Sequence, residues 1–584
     1  MAKSLKPDTT RQNVARIIER PTAKVLIIGG GINGIATFRD LALQGVDVVL
    51  VERNDYGSGA SAASSHMIHG GIRYLENGEL RLVRESVQER NGLLRIAPHY
   101  VKPLQTTIPI FSTVSGILAA PLRLLTHKQR STKERGAALI KIGLSLYDSF
   151  SRDGGTVPRH EFHGRKESLK ALPKLNPGLK YTATYYDASV HEPERLALDV
   201  LKDGLATGSG RSANYVEAIG VKDGGILLKD GVTGTEFTVT ADVVINASGP
   251  WTDLTNEAFG LDSAFMGGTK GSHIVLDNPE LLAATAGREL FFENNDGRIV
   301  LIYPLKGRVL VGTTDLEADI REPAVCTEEE VDYFFGLVKH VFPTVEVNRE
   351  QIVYRYAGIR PLPRHEDTQP GFVSRDYRIV PGTIEGLPTT KLFSLVGGKW
   401  TTFRALSEHL ANETLDAIGA KRSVSTEGLA IGGGNKYPTT ADARTTWIAA
   451  HADGFEPAMV ERLLERYGTR AADVLDVLAD QPSVSLDTDA EFTTAEIAYF
   501  AEQEEVVHLA DVILRRTNIA FRGGVTAALL AEIGGVLATT LGWSAEQLAT
   551  EVERTTRILH DAHGVDLAAS PVTAPSGVSA ATTN

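Results

Sequence analysis

Cysteine is almost missing: Cys326 is the one thiol among 584 residues. A lone thiol forms no internal disulfide and gives no thiol-ligated metal site, which excludes a disulfide scaffold and fits a reducing, intracellular setting. Long apolar runs are also missing. No uncharged stretch reaches the roughly 18–20 residues that a membrane-spanning helix requires, so membrane contact is expected to be peripheral. Residues 1–21 carry charges throughout and lack the apolar centre of a signal peptide, which argues against export. There is no cationic surplus either. Sixty Lys and Arg stand against 73 Asp and Glu, a net charge of −13, and this argues against nucleic acid as the main partner.

What is present is the balance of a soluble globular protein, 42% hydrophobic and 23% charged, in a chain long enough for two or three domains. After a leader (residues 1–23) with a helix expected over 11–20, Val25, Leu26, Ile27 and Ile28 run without a polar break and read as a buried strand. Residues 32–44 have helical spacing, and 46–52 read as a second strand, completing a β-α-β unit. The middle of the chain mixes helices with strand pairs, such as 300–304 and 308–312 joined at Lys306-Gly307, and 241–250 reads as a buried strand ending in Ala-Ser-Gly-Pro. From about residue 437 successive helices follow, with capping-box starts at Thr493 to Glu496 and Ser544 to Gln547. We expect a main region over 24–430, a boundary near 432–434, a helical domain over 435–565 and a disordered tail over 566–584.

Gly29, Gly31 and Gly34 fall on the G-x-G-x-x-G spacing between the first strand and the first helix, where exposed amides and a helix N-terminus can hold a pyrophosphate. Glu52 ends the second strand about twenty residues on, the position for a carboxylate on ribose hydroxyls. Arg53 follows it. Residues 57–74 then depart from the helix–strand alternation of a nicotinamide dehydrogenase. Their small, hydroxyl-rich run, with Ser64, Ser65, His69 and Gly70, suits contacts to a buried phosphate and a flavin ring.

Gly-Gly-Gly-Ile-Asn-Gly at 29–34, Ser64-Ser65 with His-Gly-Gly-Ile-Arg-Tyr-Leu at 69–75, Lys-Gly-Ser-His at 270–273, Gly-Thr-Thr-Asp at 312–315, Ala-Gly-Ile-Arg-Pro-Leu at 357–362 and Gly-Gly-Lys-Trp-Thr-Thr at 397–402 occur in one order. In these motifs, and over about 24–561, the chain resembles the flavin-linked, respiratory glycerol-3-phosphate dehydrogenases. Two departures stand out, His66 where relatives often have Lys and Trp400 where they often have Leu. The resemblance implies an FAD-binding Rossmann-like domain (parts about 24–100, 190–260 and 355–415), a mainly antiparallel β substrate domain and an all-α C-terminal domain. It implies FAD held by the glycines above with Gly249, Gly397, Gly398 and Thr401, the helix near Thr401 turning its positive end to the ring.

For a phosphorylated substrate the same resemblance points to Arg73, Arg360 and Lys399 as the cations, Arg being suited to paired hydrogen bonds with phosphate. Tyr74 and Asp315 are supporting candidates. His273 and His69 are the alternatives for the base. The implied reaction is oxidation of sn-glycerol 3-phosphate at C2 to dihydroxyacetone phosphate, with electrons passed to a quinone. Residues 103–147 alternate apolar segments with Arg123, Lys128, Arg130, Lys133, Arg135 and Lys141, which suits an anionic membrane surface as well as a plain solvated face. A peripheral protein on the inner face of the cell membrane and a homodimer are expected by resemblance. An oxidase that hands electrons to oxygen, and a flavin-binding module without catalysis, are the rival readings.

Overall fold

The computed structural model describes residues 11–71, 80–111, 140–141, 143–144, 147–148, 158–294, 298–364, 376–480 and 483–567. Arg73, Tyr74 and most of the basic stretch after residue 111 lie outside them. Helix α1 (Gln12–Glu19) precedes strand β1 (Thr22–Ile28), which is followed by α2 (Ile32–Leu43) and β2 (Val48–Val51). β1 pairs in parallel with β2 on one side and with Glu236–Asn246 on the other. Its side chains alternate between two cores, as a pleated strand dictates. Val25 and Ile27 face α2, Leu196 and Leu406, while Leu26 and Ile28 face Val14, Ile17 and Ile226. Burial on both faces is why the strand carries no polar break.

The sheet continues in parallel to Gly210–Ala213 beyond β2 and to Leu387–Val396 beyond Glu236–Asn246, with Arg378–Ile384 added antiparallel at the edge. Helices α2, Pro193–Leu205 and Phe403–Ala417 cover one face.

A second, ten-stranded sheet is antiparallel except where Val101–Ile110 meets Glu289–Glu293. Its long pair is Met266–Leu276 with Ile352–Pro363. The expected hairpin is there as Ile299–Leu305 and Arg308–Gly312. Lys306 and Gly307 have φ of 50° and 73°, the two left-handed residues that match the strands' twist.

Helices from Ala441–His451 to Ala545–His563 close on a core of their own around Leu463, Phe500, Leu530 and Leu559. Ser544 and Gln547 form a full capping box. At Thr493 only half of one forms: Thr493 accepts from the Glu496 N–H, while the Glu496 carboxylate turns to Arg466 and Tyr467. A buried cation competes better for that carboxylate than a backbone amide does. Among the described residues no helix is long and apolar enough to cross a membrane.

Candidate active site

A cavity of about 840 Å³ opens between the two sheets. Its first wall is the turn after β1. Gly29 has φ of 113°, and a Cβ there would lie 2.5 Å from the Ala247 carbonyl oxygen. A Cβ on Gly34 would lie 2.0 Å from the Gly29 carbonyl oxygen. These two glycines let α2 start against the strand ends, and Gly34 sits behind the lining, not in it. Glu52 lines the cavity and braces the turn, since its Oε2 accepts from the Gly30 N–H at 2.6 Å and its Oε1 from the Asn54 N–H at 2.8 Å. Burial raises its pKa despite those bonds. The Arg53 guanidinium lies 4.5 Å over the Trp251 ring, and Gly249, with φ of 63°, sits beside them.

Ser58 to Ser61 and Ala63 to Ser65 form a second wall, in which Ser61 accepts from the Ile32 N–H of the first turn of α2. Trp400 joins it, its indole donating to the Ser61 carbonyl. Gly397 and Gly398 have φ of 90° and 105°, and a Cβ on Gly398 would lie 2.7 Å from Asn33 Nδ2. A short 3-10 turn, Trp400–Thr402, leads into the helix Phe403–Ala417, so the helix N-terminus expected near Thr401 is there. Thr401 Oγ1 donates to the carbonyl of His69 at 3.1 Å. His66 does not share this cavity. Its Nδ1 meets the Val190 carbonyl and it faces a smaller pocket with His191 and Glu194. Burial lowers its pKa to about 4, leaving it neutral at pH 7.

The third wall comes from the antiparallel sheet, and it gathers Arg360, Asp315 and His273 with Lys399 and His69. Arg360 is fixed by Asp315 Oδ1 at 2.5 Å, Thr313 Oγ1 at 2.9 Å and the Thr314 carbonyl at 2.8 Å. Gly271 makes the space: a Cβ there would lie 2.3 Å from Arg360 Nη2. Gly312 does the same for His273, where a Cβ would lie 2.2 Å from Cδ2. Two motifs thus have a steric meaning, glycine placed where a functional ring or guanidinium must lie. Lys270 is not part of the cavity; its Nζ bonds Glu330 and the Val325 carbonyl.

His273 meets Ser65 Oγ through Nε2 at 2.8 Å and stacks on Tyr356 with centroids 4.8 Å apart. Burial, then the nearby Arg360, hold its pKa well below 6.5. Lys399 Nζ donates to Ser86 Oγ at 2.5 Å. Gly70 lies behind the lining, where its N–H donates to Asp187 Oδ1 at 2.9 Å.

Three lining residues, Glu217, Arg298 and Asp187, carry charges that the sequence reading passed over. Arg298 follows an Asp-Gly pair and reads as a turn residue, while Asp187 sits mid-strand in Tyr-Tyr-Asp-Ala-Ser. A lone acid in an otherwise neutral strand was the available signal for Asp187.

Parallel sheet, glycine turn, helix N-termini and a long cavity reaching a cationic wall together define a dinucleotide-dependent oxidoreductase. The FAD dependent oxidoreductase family matches residues 24–384, and the family described as the C-terminal domain of alpha-glycerophosphate oxidase matches residues 389–548. The chain is 32% identical over 566 residues to the glycerol-3-phosphate dehydrogenase of Synechocystis sp., covering 92% of this chain and 96% of that one. It is 28% identical over 568 residues to the human mitochondrial glycerol-3-phosphate dehydrogenase, covering 92% and 73%. The chain belongs to the FAD-dependent glycerol-3-phosphate dehydrogenase family. A solved structure of the Bacillus halodurans glycerol-3-phosphate dehydrogenase, complexed with FAD, shares the fold, with a TM-score of 0.72 at 22% identity over 97% of this chain and 99% of that one. FAD is the cofactor of this family. The cavity fits it: Gly29, Gly397 and Gly398 have positive φ, Ile32 opens a helix toward it, and its walls join a ribose-suited carboxylate to a cationic end.

Proposed function

We propose that this chain oxidises sn-glycerol 3-phosphate to dihydroxyacetone phosphate and that the electrons leave to a quinone. The observation that carries the reading is Arg360, held by three acceptors so that its guanidinium is presented to the cavity alongside Lys399. A guanidinium fixed in this way grips phosphate without losing side-chain entropy on binding. Asp315 orients Arg360, while Arg298 adds charge at the same wall. When bound, FAD supplies the hydride acceptor for the substrate C2.

Gly29, Gly31, Gly34, Glu52, Arg53 and Gly249 serve the adenosine half. Ser64, Ser65, His69, Gly70, Gly397, Gly398 and Thr401 serve the flavin half, and Arg73 and Tyr74 join the substrate end. Between the two imidazoles we assign the base role to His69. Burial and then Arg360 lower the His273 pKa well below 6.5, so it takes up a proton poorly, and it spends Nε2 on Ser65, so its part is to place Ser65. The basic part of residues 103–147 is proposed to meet an anionic membrane on its cytoplasmic face, in a homodimer, with 435–565 as a separate helical domain; the strand Val101–Ile110 takes no part, being paired inside the antiparallel sheet, and Leu144 and Tyr147 are buried.

Anaerobic addition of glycerol 3-phosphate to the purified protein should bleach the flavin absorbance, while glycerol should not. Bound flavin that stays oxidised overturns the substrate. The match of residues 389–548 to an oxidase domain favours a second reading, with oxygen as the acceptor. Oxygen uptake that outpaces reduction of a soluble quinone would select it.

A further inference from the structure

On the wall beside His69, a buried carboxylate has one oxygen fully occupied and the other left for a guest. Asp187 is 1% exposed, in the strand Tyr181–Val190. Its Oδ1 accepts from the Gly70 N–H at 2.9 Å, from Arg90 Nη1 at 3.0 Å and from the Tyr147 hydroxyl. No described residue donates to Oδ2, and Asp187 lines the same cavity as Arg360 and Lys399.

An ionised carboxylate has about four acceptor sites, two on each oxygen. Here three donors hold one oxygen and aim the other. We propose that Asp187 is a substrate-recognition residue whose Oδ2 accepts a hydrogen bond from a hydroxyl of the polyol phosphate. This assignment rests on the substrate reading above. The phosphate goes to the cations and a hydroxyl to the anion, so the substrate is aligned by opposite charges within one cavity. A ligand with phosphate but no hydroxyl satisfies only one end.

The groups around Asp187 set its charge. Arg90 comes from the helix Leu80–Ile96 and Tyr147 from beyond it, Tyr185 lies on the same strand, and Glu289 lies on the strand Glu289–Glu293. Burial raises the Asp187 pKa, against the opposing effect of Arg90 and the donors. Burial also pushes Glu289 up to about 8, so at pH 7 it is mainly protonated and adds little negative charge beside Asp187.

The test compares wild type with Asp187→Ala, both with FAD bound, using glycerol 3-phosphate and propyl phosphate, which has no hydroxyl. Half-saturation of anaerobic bleaching reads the first ligand. Its displacement, or the perturbed flavin spectrum, reads the second. Asp187→Ala should raise the half-saturating glycerol 3-phosphate concentration by about tenfold or more, as expected for a hydrogen bond to a charged group, and leave propyl phosphate binding unchanged. Equal weakening of both ligands would mark a structural role and overturn the assignment, as would no weakening of either. Wild-type flavin that glycerol 3-phosphate fails to bleach would instead overturn the substrate reading, and this assignment with it. Should Asp187→Ala not fold, Tyr147→Phe removes one donor from Oδ1 without changing the anion itself. The acid limb of the half-saturation profile should then move to higher pH, and an unmoved limb overturns the assignment.

Discussion

Asp55 and Arg516 stand 461 residues apart in the chain and meet fully buried, Nη1 to Oδ2 at 2.6 Å and Nη2 to Oδ1 at 3.0 Å. Asp55 follows Glu52 and Arg53 of the cavity wall, while Arg516 belongs to the C-terminal helices. Arg515 joins from the same turn, and Arg516 also donates to the Glu504 carbonyl. Burial alone would raise the Asp55 pKa, yet the two guanidiniums outweigh it and hold it below 3.8. Its contribution to stability is present above the unfolded-state pKa and is lost as pH falls through the lower folded value.

Removing one partner leaves the other charge buried and unpaired. Arg516→Ala should therefore cost about 3–5 kcal/mol and loosen the wall that carries the cofactor. A fall in Tm together with a lower FAD-to-protein ratio is expected. A lower Tm with full FAD content would confine the effect to the helices.

Gly34→Ala should abolish FAD binding while the rest of the chain still folds, because the new Cβ would lie 2.0 Å from a backbone carbonyl oxygen. Gly45→Ala is the control: its Cβ meets nothing within 4 Å, although its φ of 76° strains the substitution slightly. The absorbance ratio of flavin to protein after purification separates the two.

Arg360→Lys should keep FAD and a positive charge but lose the guanidinium fork held by Thr313, Thr314 and Asp315. We expect the half-saturating glycerol 3-phosphate concentration to rise by about tenfold or more, the scale of a lost hydrogen bond to a charged group. Stopped-flow bleaching reads this directly. An unchanged value would take Arg360 out of substrate binding.

Glu289 predicts a pH dependence of stability. Burial pushes its carboxyl up to about 8, only partly opposed by the Thr106 hydroxyl on Oε2. A folded-state pKa above the unfolded one makes the contribution full below the unfolded value and lost as pH rises through the folded value. Glu289→Gln should thus flatten the decline in Tm between about pH 5 and 8. A decline as steep as that of the wild type would assign it to other groups, such as Glu194, which burial pushes up to about 7.

The local signals were legible because each has one steric or periodic cause. The apolar run of β1, the glycine spacing after it, and Lys306-Gly307 all read directly into structure. Motifs around Gly271 and Gly312 were visible as resemblance, but their purpose was not, since it depends on a strand partner more than 30 residues away: Arg360 sits across from Thr269, and His273 across from Gly312. His66, one of the two departures from the family's motifs, faces the smaller pocket, where its Nδ1 meets the Val190 carbonyl. Asp187 stayed hidden because burial makes an acid informative only once its donors, from Gly70, Arg90 and Tyr147, are in place.

The order of strands in the parallel sheet also constrains how the protein is made. β1 is flanked by β2, which follows it at once, and by Glu236–Asn246, with Leu387–Val396 next in line. A ribosome delivers the glycine turn early but its flanking strand some two hundred residues later, and the cationic wall later still. The cofactor's seat therefore cannot close during synthesis of the N-terminal half. Such long-range pairing slows folding and leaves apolar strand edges exposed in the interval, so chaperone protection and flavin supply bear on yield near the end of translation, when Arg516 has left the exit tunnel.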